Sequence, residues 1–226
     1  MTKIVEYQLL DKIATITMDD QKANAVSPQM TKQLNAALDQ AKDDEAVVVL
    51  TGRSGKFSAG FDLTVMKQGP KATNDMVKSG ALLAERLLSF PTPIVIACNG
   101  HALAMGALLL ASVDHRIGSE GNFKIGLNEV AIGMTMPWFG IEIARARLGT
   151  MYFGRSVVNA QIYEPSGAVT AGFLDQVVPE DSLMDTARQA AESFTNLDLK
   201  AHYATKMRVR ADSLAAVRAA IEKEFD

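Results

Sequence analysis

Residues 93–137 read PIVIACNGHALAMGALLLASVDHRIGSEGNFKIGLNEVAIGMTMP, and the reading of this stretch decides the fold. Ile94-Val95-Ile96-Ala97-Cys98 is an apolar run short enough for a buried strand. Asn99-Gly100 breaks it with a strong turn signal. The segment Ala102 to Ala111 is rich in small residues and almost wholly apolar, which predicts a buried helix. Strand, glycine turn and helix together direct a helix N-terminus beyond the strand end. That end carries unpaired N–H groups and partial positive charge, which suits a developing anion. Further on, Glu129 lies in the glycine-flanked apolar segment Ile125-Gly126-Leu127-Asn128-Glu129-Val130. A carboxylate in such surroundings is expected to have a raised pKa and to move protons.

Outward from this stretch, strands and helices alternate. Ile4–Leu10 and Ile13–Met18 predict two strands about a tight Asp11-Lys12 turn. Ser27-Pro28 opens a helix, with Ser as N-cap and Pro at the first helical position. Its apolar positions Met30, Leu34, Ala37, Leu38 and Ala41 recur at helical spacing. Val47–Gly52 predicts a buried strand leading into the glycine-rich loop Gly52–Lys56. Asn74–Phe90 predicts a helix stopped by Pro91 and Pro93, and Val113–Ile117 a further strand. Trp138–Leu148 predicts a helix, Ser156–Thr170 helix and turn, and Phe173–Val178 an edge strand. Asp181–Phe194 and Asp198–Phe225 close the chain with helices. Buried β-branched runs alternating with helices indicate an α/β fold with mainly parallel strands.

Composition narrows the function classes. With 226 residues, 48% of them hydrophobic, the chain suits one generous domain with a large core. A net charge of −3, without a Lys/Arg cluster, argues against nucleic acid as a partner. The lone Cys98 rules out an internal disulfide, and His101, His115 and His202 lack metal-site spacing. The N-terminus alternates rather than forming an apolar signal block, and no run approaches a membrane span. A cytoplasmic protein is expected.

Two segments resemble the crotonase (enoyl-CoA hydratase/isomerase) superfamily. Phe57-Ser58-Ala59-Gly60-Phe61-Asp62-Leu63 is similar to its FxAGxDL loop. Pro93–Asp114, with Asn99-Gly100 and the small-residue turn Ala104-Met105-Gly106, is similar to its second signature. Gln21–Ala25 resembles its NKxNAL-type loop, Gly126–Glu129 its GLPE segment, and Gly172–Asp175 its late GLVD strand. The resemblance implies a ClpP-like spiral of ββα units over residues 1–195, with a helical C-terminal region over 196–226, assembled as trimers or dimers of trimers. It implies an acyl-CoA thioester as substrate, with CoA part of that substrate and no other cofactor. The oxyanion-hole donors would be the Phe61 and Met105 N–H groups. Lys22, Ala23, Ala59, Gly60, Asp62, Leu63 and Gly106 would bind the substrate.

Departures from the family pattern bear on the reaction. Hydratases of the family use two glutamates. Here the first position is Leu108, and the second is kept as Glu129. The family's Δ3,Δ2-enoyl-CoA isomerases also keep only the second, so double-bond isomerisation is favoured over hydration. A non-catalytic acyl-CoA-binding member is the reading of a different class. Asn128 replaces the usual proline, and Met105 in the usual triple glycine is expected to narrow the acyl pocket. The chain stops at Asp226, short of the segment most members use to cover the CoA or a neighbour. A hydrolase triad of Ser58, His101 and Asp114 is disfavoured, because Gly55-Lys56-Phe57-Ser58 is no GxSxG elbow. His101 is read as satisfying a backbone group, and Asp114 and Arg116 as pairing with each other. Met134, Met136, Trp138 and Phe139 are read as an apolar wall. The Lys206-Arg208-Arg210 run is read as a solvated helix face or a contact to CoA phosphates.

Overall fold

The computed structural model describes residues 2–225. The chain opens with β1 (Val5–Leu10), β2 (Ile13–Met18), α1 (Pro28–Asp43), β3 (Val47–Thr51) and β4 (Gly55–Ser58). Next come α2 (Leu63–Met66), α3 (Pro70–Leu88), β5 (Ile94–Cys98), β6 (Gly100–Leu103), α4 (Met105–Ala111), β7 (His115–Ser119) and β8 (Ile125–Gly126). The rest is α5 (Trp138–Arg147), α6 (Thr150–Val157), α7 (Pro165–Ala171), β9 (Gln176–Val178), α8 (Leu183–Thr195), α9 (Leu199–Val209) and α10 (Ala211–Phe225).

A six-stranded sheet has the order β1-β2-β3-β5-β7-β9, and a second, three-stranded sheet the order β4-β6-β8. Among the described residues of the six-stranded sheet, β1 pairs antiparallel with β2 and the other pairs are parallel. The β1–β2 hairpin closes through Asp11 and Lys12, both at positive φ (52° and 62°), as a tight primed turn requires. Successive pairs β3–β4, β5–β6 and β7–β8 each place one strand in the large sheet and the next in the small one. The fold is therefore a spiral of strand pairs, each turn separated from the next by helix or loop. The large sheet is covered on both faces, so every residue of β3 and β5 is buried. Val48 and Leu50 face the main core, while Val47 and Val49 face α8 through Leu183, Ala187 and Ala191.

The helix expected over Ala102–Ala111 begins only at Met105, and Ala102 and Leu103 belong to β6. Asn99-Gly100 does bend the chain, but from one sheet into the other. A methyl group built on Gly100 would lie 2.0 Å from the Gly55 carbonyl carbon, so only glycine lets the two crossings touch. Asn99 Nδ2 locks the bend by donating to the Gly52 carbonyl at 2.8 Å.

Smaller differences follow from local chemistry. α3 starts at Pro70 rather than Asn74, because Gly69-Pro70 is itself a helix start. The strand expected at Val113–Ile117 occupies His115–Ser119 instead, since Asp114 turns its carboxylate back to the Ile94 N–H. The edge strand contracts to Gln176–Val178. The last expected helix is two, broken at Arg210, and α10 packs across α5 and α3.

Candidate active site

At the end of β6, Ala104 turns the chain directly into α4. Its backbone sits at φ 50°, ψ −122°, a strained conformation for an L side chain, held by its N–H donating to the Gly126 carbonyl at 3.0 Å. Met105 is the first helical residue, so its N–H has no intrahelical acceptor. Relief of this strain gives a testable outcome. Ala104→Gly is expected to raise stability by about 1 kcal/mol, read as a higher urea midpoint at unchanged slope.

The segment after β4 meets this turn. Ser58 Oγ donates to the Asn24 carbonyl at 2.7 Å, and the Gly60 N–H donates to Ser58 Oγ at 3.3 Å. The Ala59 N–H donates to the Ala23 carbonyl at 3.0 Å, and the Val26 N–H to the Gly60 carbonyl at 2.8 Å. Val26 and Phe61 form a parallel bridge, a register in which the Phe61 N–H points away from Val26. Gly60 has φ 92° and is pressed against the turn: a methyl there would lie 3.3 Å from the Met105 nitrogen. One on Gly106 would lie 2.4 Å from the Ser58 carbonyl oxygen. The two glycines thus allow the Ser58–Gly60 segment to lie against the Ala104–Gly106 turn.

A cavity of ≈ 610 Å³ opens beside this junction. Of the expected residues, Ala59, Phe61, Leu63 and Glu129 line it; Lys22, Ala23, Gly60, Asp62, Met105 and Gly106 do not. Lys22 is exposed, Ala23 holds the loop backbone, and Asp62 caps α2 by accepting from the Thr64 N–H at 2.8 Å. Met105 does not narrow the cavity, because its side chain is fully buried with its methyl facing Gly80 on α3. Ala104 supplies the wall there instead. Met134 also lines the cavity, whereas Met136 and Phe139 are core and Trp138 is largely exposed beneath Lys223.

Glu129 is 6% exposed, and its Oε2 has no hydrogen-bond partner. Its segment is fixed by β8, where Ile125 and Gly126 pair with Ala102 and Leu103. The following turn is fixed by Met134 N–H donating to the Glu129 carbonyl at 2.9 Å. Burial in apolar surroundings raises the carboxyl pKa from 4.5 to about 7. Between those two pH values the folded chain keeps a proton that the unfolded chain releases. Stability is therefore expected to fall as pH rises from 4.5 to about 7, with Glu129 contributing a penalty on the order of 3 kcal/mol above that window. Glu129→Gln removes the penalty, so this variant should exceed the parent in stability at alkaline pH and match it in acid.

Position 108 offers no second acid. Leu108 is buried, with Cδ1 3.1 Å from the site a Gly140 methyl would occupy. The cavity's other carboxylate is one that motif reasoning missed. Glu224, exposed at the end of α10, accepts from the Trp138 N–H at 2.6 Å and lies beside Phe225 on the cavity wall. Only a helix returning from the far end of the chain brings these residues here, and no local spacing signals it. Gly80, an isolated glycine inside a helix, was a usable signal; it seats the Phe61 ring, whose Cε1 lies 2.5 Å from a methyl built there.

Several side chains are accounted for elsewhere. His101 Nδ1 accepts from the Lys124 N–H at 3.0 Å, Ser58 is engaged by Asn24, and Asp114 is bound by Lys206 and Arg210; no triad forms. Arg116 pairs with Asp175 rather than Asp114. Lys206 is buried and Arg210 largely so, which corrects the reading of a solvated face for these two, whereas Arg208 is exposed.

The sequence profile of the enoyl-CoA hydratase/isomerase family matches residues 9–225. The chain belongs to that family. Its crotonase fold is matched by the crystal structure of an enoyl-CoA hydratase/isomerase family protein from Pseudomonas syringae, with a TM-score of 0.96 and 49% identity, covering 97% of this chain and 96% of that one. The apo structure of a Mycobacterium tuberculosis enoyl-CoA isomerase matches with a TM-score of 0.94 and 43% identity, over 98% and 97% of the two chains. A short-chain-enoyl-CoA hydratase from Clostridium acetobutylicum is 32% identical over 193 residues, 82% of this chain and 72% of that protein. Relatives of both names therefore surround this family member.

Proposed function

We propose that the protein is a Δ3,Δ2-enoyl-CoA isomerase in which Glu129 carries the proton and the Phe61 and Met105 N–H groups hold the thioester oxygen. Glu129 takes a proton from C2 of a 3-enoyl thioester. The electron pair delocalises onto the thioester oxygen, where two backbone donors stabilise it; one such donor is worth roughly 2.7–4 kcal/mol. The same carboxyl returns the proton to C4, and the double bond moves to C2–C3. CoA arrives as part of the substrate, so the step needs no separate cofactor.

The observation that carries this reading is a buried carboxyl whose Oε2 has no hydrogen-bond partner, with leucine where a second acid would stand. Glu224 does not fill that role, being exposed and held by the Trp138 amide. The M. tuberculosis relative, at 43% identity, is described as an isomerase in one solved structure and as a probable hydratase in another, so the assignment rests on the carboxyl and on Leu108. Its test is incubation with trans-3-enoyl-CoA and, separately, trans-2-enoyl-CoA. Conversion of the first to the 2-enoyl thioester is expected. Binding of both without conversion would instead indicate a non-catalytic acyl-CoA-binding member.

A further inference from the structure

Gly80 is buried well inside α3, and no positive φ calls for glycine there. Glycine inside a helix is less favourable than alanine, so the reason for it is space. A methyl built on Gly80 would lie 2.5 Å from Cε1 and 2.7 Å from Cζ of Phe61, and 3.6 Å from the Met105 methyl. Ordinary carbon contacts fall at about 3.5–4.0 Å, so alanine at this position displaces the ring by about 1 Å. Met105 is sealed in the core, whereas Phe61 is only half-buried and lines the cavity. The open side of the ring is therefore the cavity.

The same face of α3 continues along the cavity. Pro70, Thr73, Asn74 and Val77 line it, with the spacing of a single helix face, and Gly80 is the next position of that stripe. From Pro70 to Val77 the groove follows the helix for about 10 Å. Leu63, Met66, Ile132, Met134 and Phe225 add apolar walls. Among the polar residues of the wall, Thr73 turns its hydroxyl to the Met66 and Gly69 carbonyls, and Asn74, Thr135 and Glu224 are exposed.

Resting on the isomerase site assigned above, we infer that Gly80 is a specificity-determining residue. By seating the Phe61 ring it keeps the groove along α3 open to a straight acyl chain of medium length. Gly80 touches no substrate atom and acts through the ring, as a positioning residue. The Phe61 N–H holds the thioester oxygen, so the ring of the same residue stands beside the start of the acyl chain. A chain long enough to reach Pro70 has to pass that ring, whereas a four-carbon chain ends at the reacting carbons. A ring displaced into the groove therefore penalises the long chain selectively.

The test is calorimetric titration of butyryl-CoA and decanoyl-CoA, saturated thioesters that bind without isomerising. The proteins are the parent, Gly80→Ala and Gly80→Ala/Phe61→Leu, and turnover of trans-3-decenoyl-CoA by the parent is followed alongside. The parent is expected to bind decanoyl-CoA about tenfold or more tightly than butyryl-CoA, since each buried methylene adds affinity. Gly80→Ala should weaken decanoyl-CoA about tenfold and change butyryl-CoA by about twofold at most. The double variant, whose leucine is shorter than the ring, should recover the preference. Equal weakening of both thioesters in Gly80→Ala overturns the inference, because a general disturbance of the helix or of the Phe61 amide has that signature. An unchanged preference in Gly80→Ala overturns it too, as does a parent that does not distinguish the two thioesters or a double variant that recovers nothing. A preference that follows Gly80 in a parent that leaves trans-3-decenoyl-CoA unconverted upholds the inference and overturns the isomerase reading alone.

Discussion

Glu129→Gln is expected to slow isomerisation of a 3-enoyl thioester by a factor of about 10²–10⁴, the usual contribution of one positioned acid/base. The upper part of that range is expected here, because the carboxyl works alone. Leu108 is sealed in the core, and Glu224 is committed to the Trp138 amide. Binding should survive, since glutamine keeps the shape and the loss falls on the proton transfer. The signature is thus a drop in kcat with little change in KM. In the parent, kcat/KM should rise with pH along one ionisation near 7, where the buried carboxyl gives up its proton. The limb should vanish from the residual rate of the variant. A rate unchanged in Glu129→Gln would move the acid/base role elsewhere in the cavity.

Asp114→Ala is expected to cost roughly 3–5 kcal/mol of stability, because it strands buried cations. Asp114 Oδ2 accepts from Lys206 Nζ at 2.7 Å and from the Ile94 N–H at 2.8 Å, while Oδ1 accepts from Arg210 Nη2 at 2.9 Å. Lys206 Nζ also donates to the carbonyls of Phe90 at 2.9 Å and Thr92 at 3.2 Å. The side chain of Lys206 is only 3% exposed, and burial lowers its pKa. Arg210 adds a donor to the Leu88 carbonyl at 2.7 Å. The cluster ties the end of α9 to the connection between α3 and β5, the strand that leads into β6 and the Ala104 turn. The drop in melting temperature should be about 10 °C for a chain of this size. Lys206→Met in the Asp114→Ala background should recover part of it, since methionine suits the buried site once the charge is gone. A melting temperature unchanged by Asp114→Ala would contradict the cluster's structural role.

Much of the fold is legible wherever local chemistry and burial agree. The β1–β2 turn, the Ser27 cap and the apolar face of α1 follow from residues that act within a few positions of themselves. The Gly60 loop and the Ala104 turn are legible as motifs, because only small residues permit that backbone contact. What was illegible depends on distance along the chain. The second half of β6 reads as helix, since Ala102-Leu103 continues into the apolar run of α4 without a break in composition, and its partners β4 and β8 lie far away in sequence. Lys206 and Arg210 share a helix face, and that spacing alone did not show that Asp114 waits beneath it. Phe225 and Glu224 reach the cavity only through the return of α10. Ala104 and Met105 exchange the roles expected for the wall, because the strained turn points the alanine outward and the methionine into the core.

The most direct test of single-carboxylate proton transfer uses a 3-enoyl-CoA carrying deuterium at C2, converted in ordinary water and analysed at low turnover. Because Glu129 is buried, it should hand on the proton it has taken before exchange with solvent is complete. The prediction is a 2-enoyl thioester with part of the deuterium at C4, and none of that transfer in Glu129→Gln. A product whose new C4 hydrogen comes entirely from water would contradict the account.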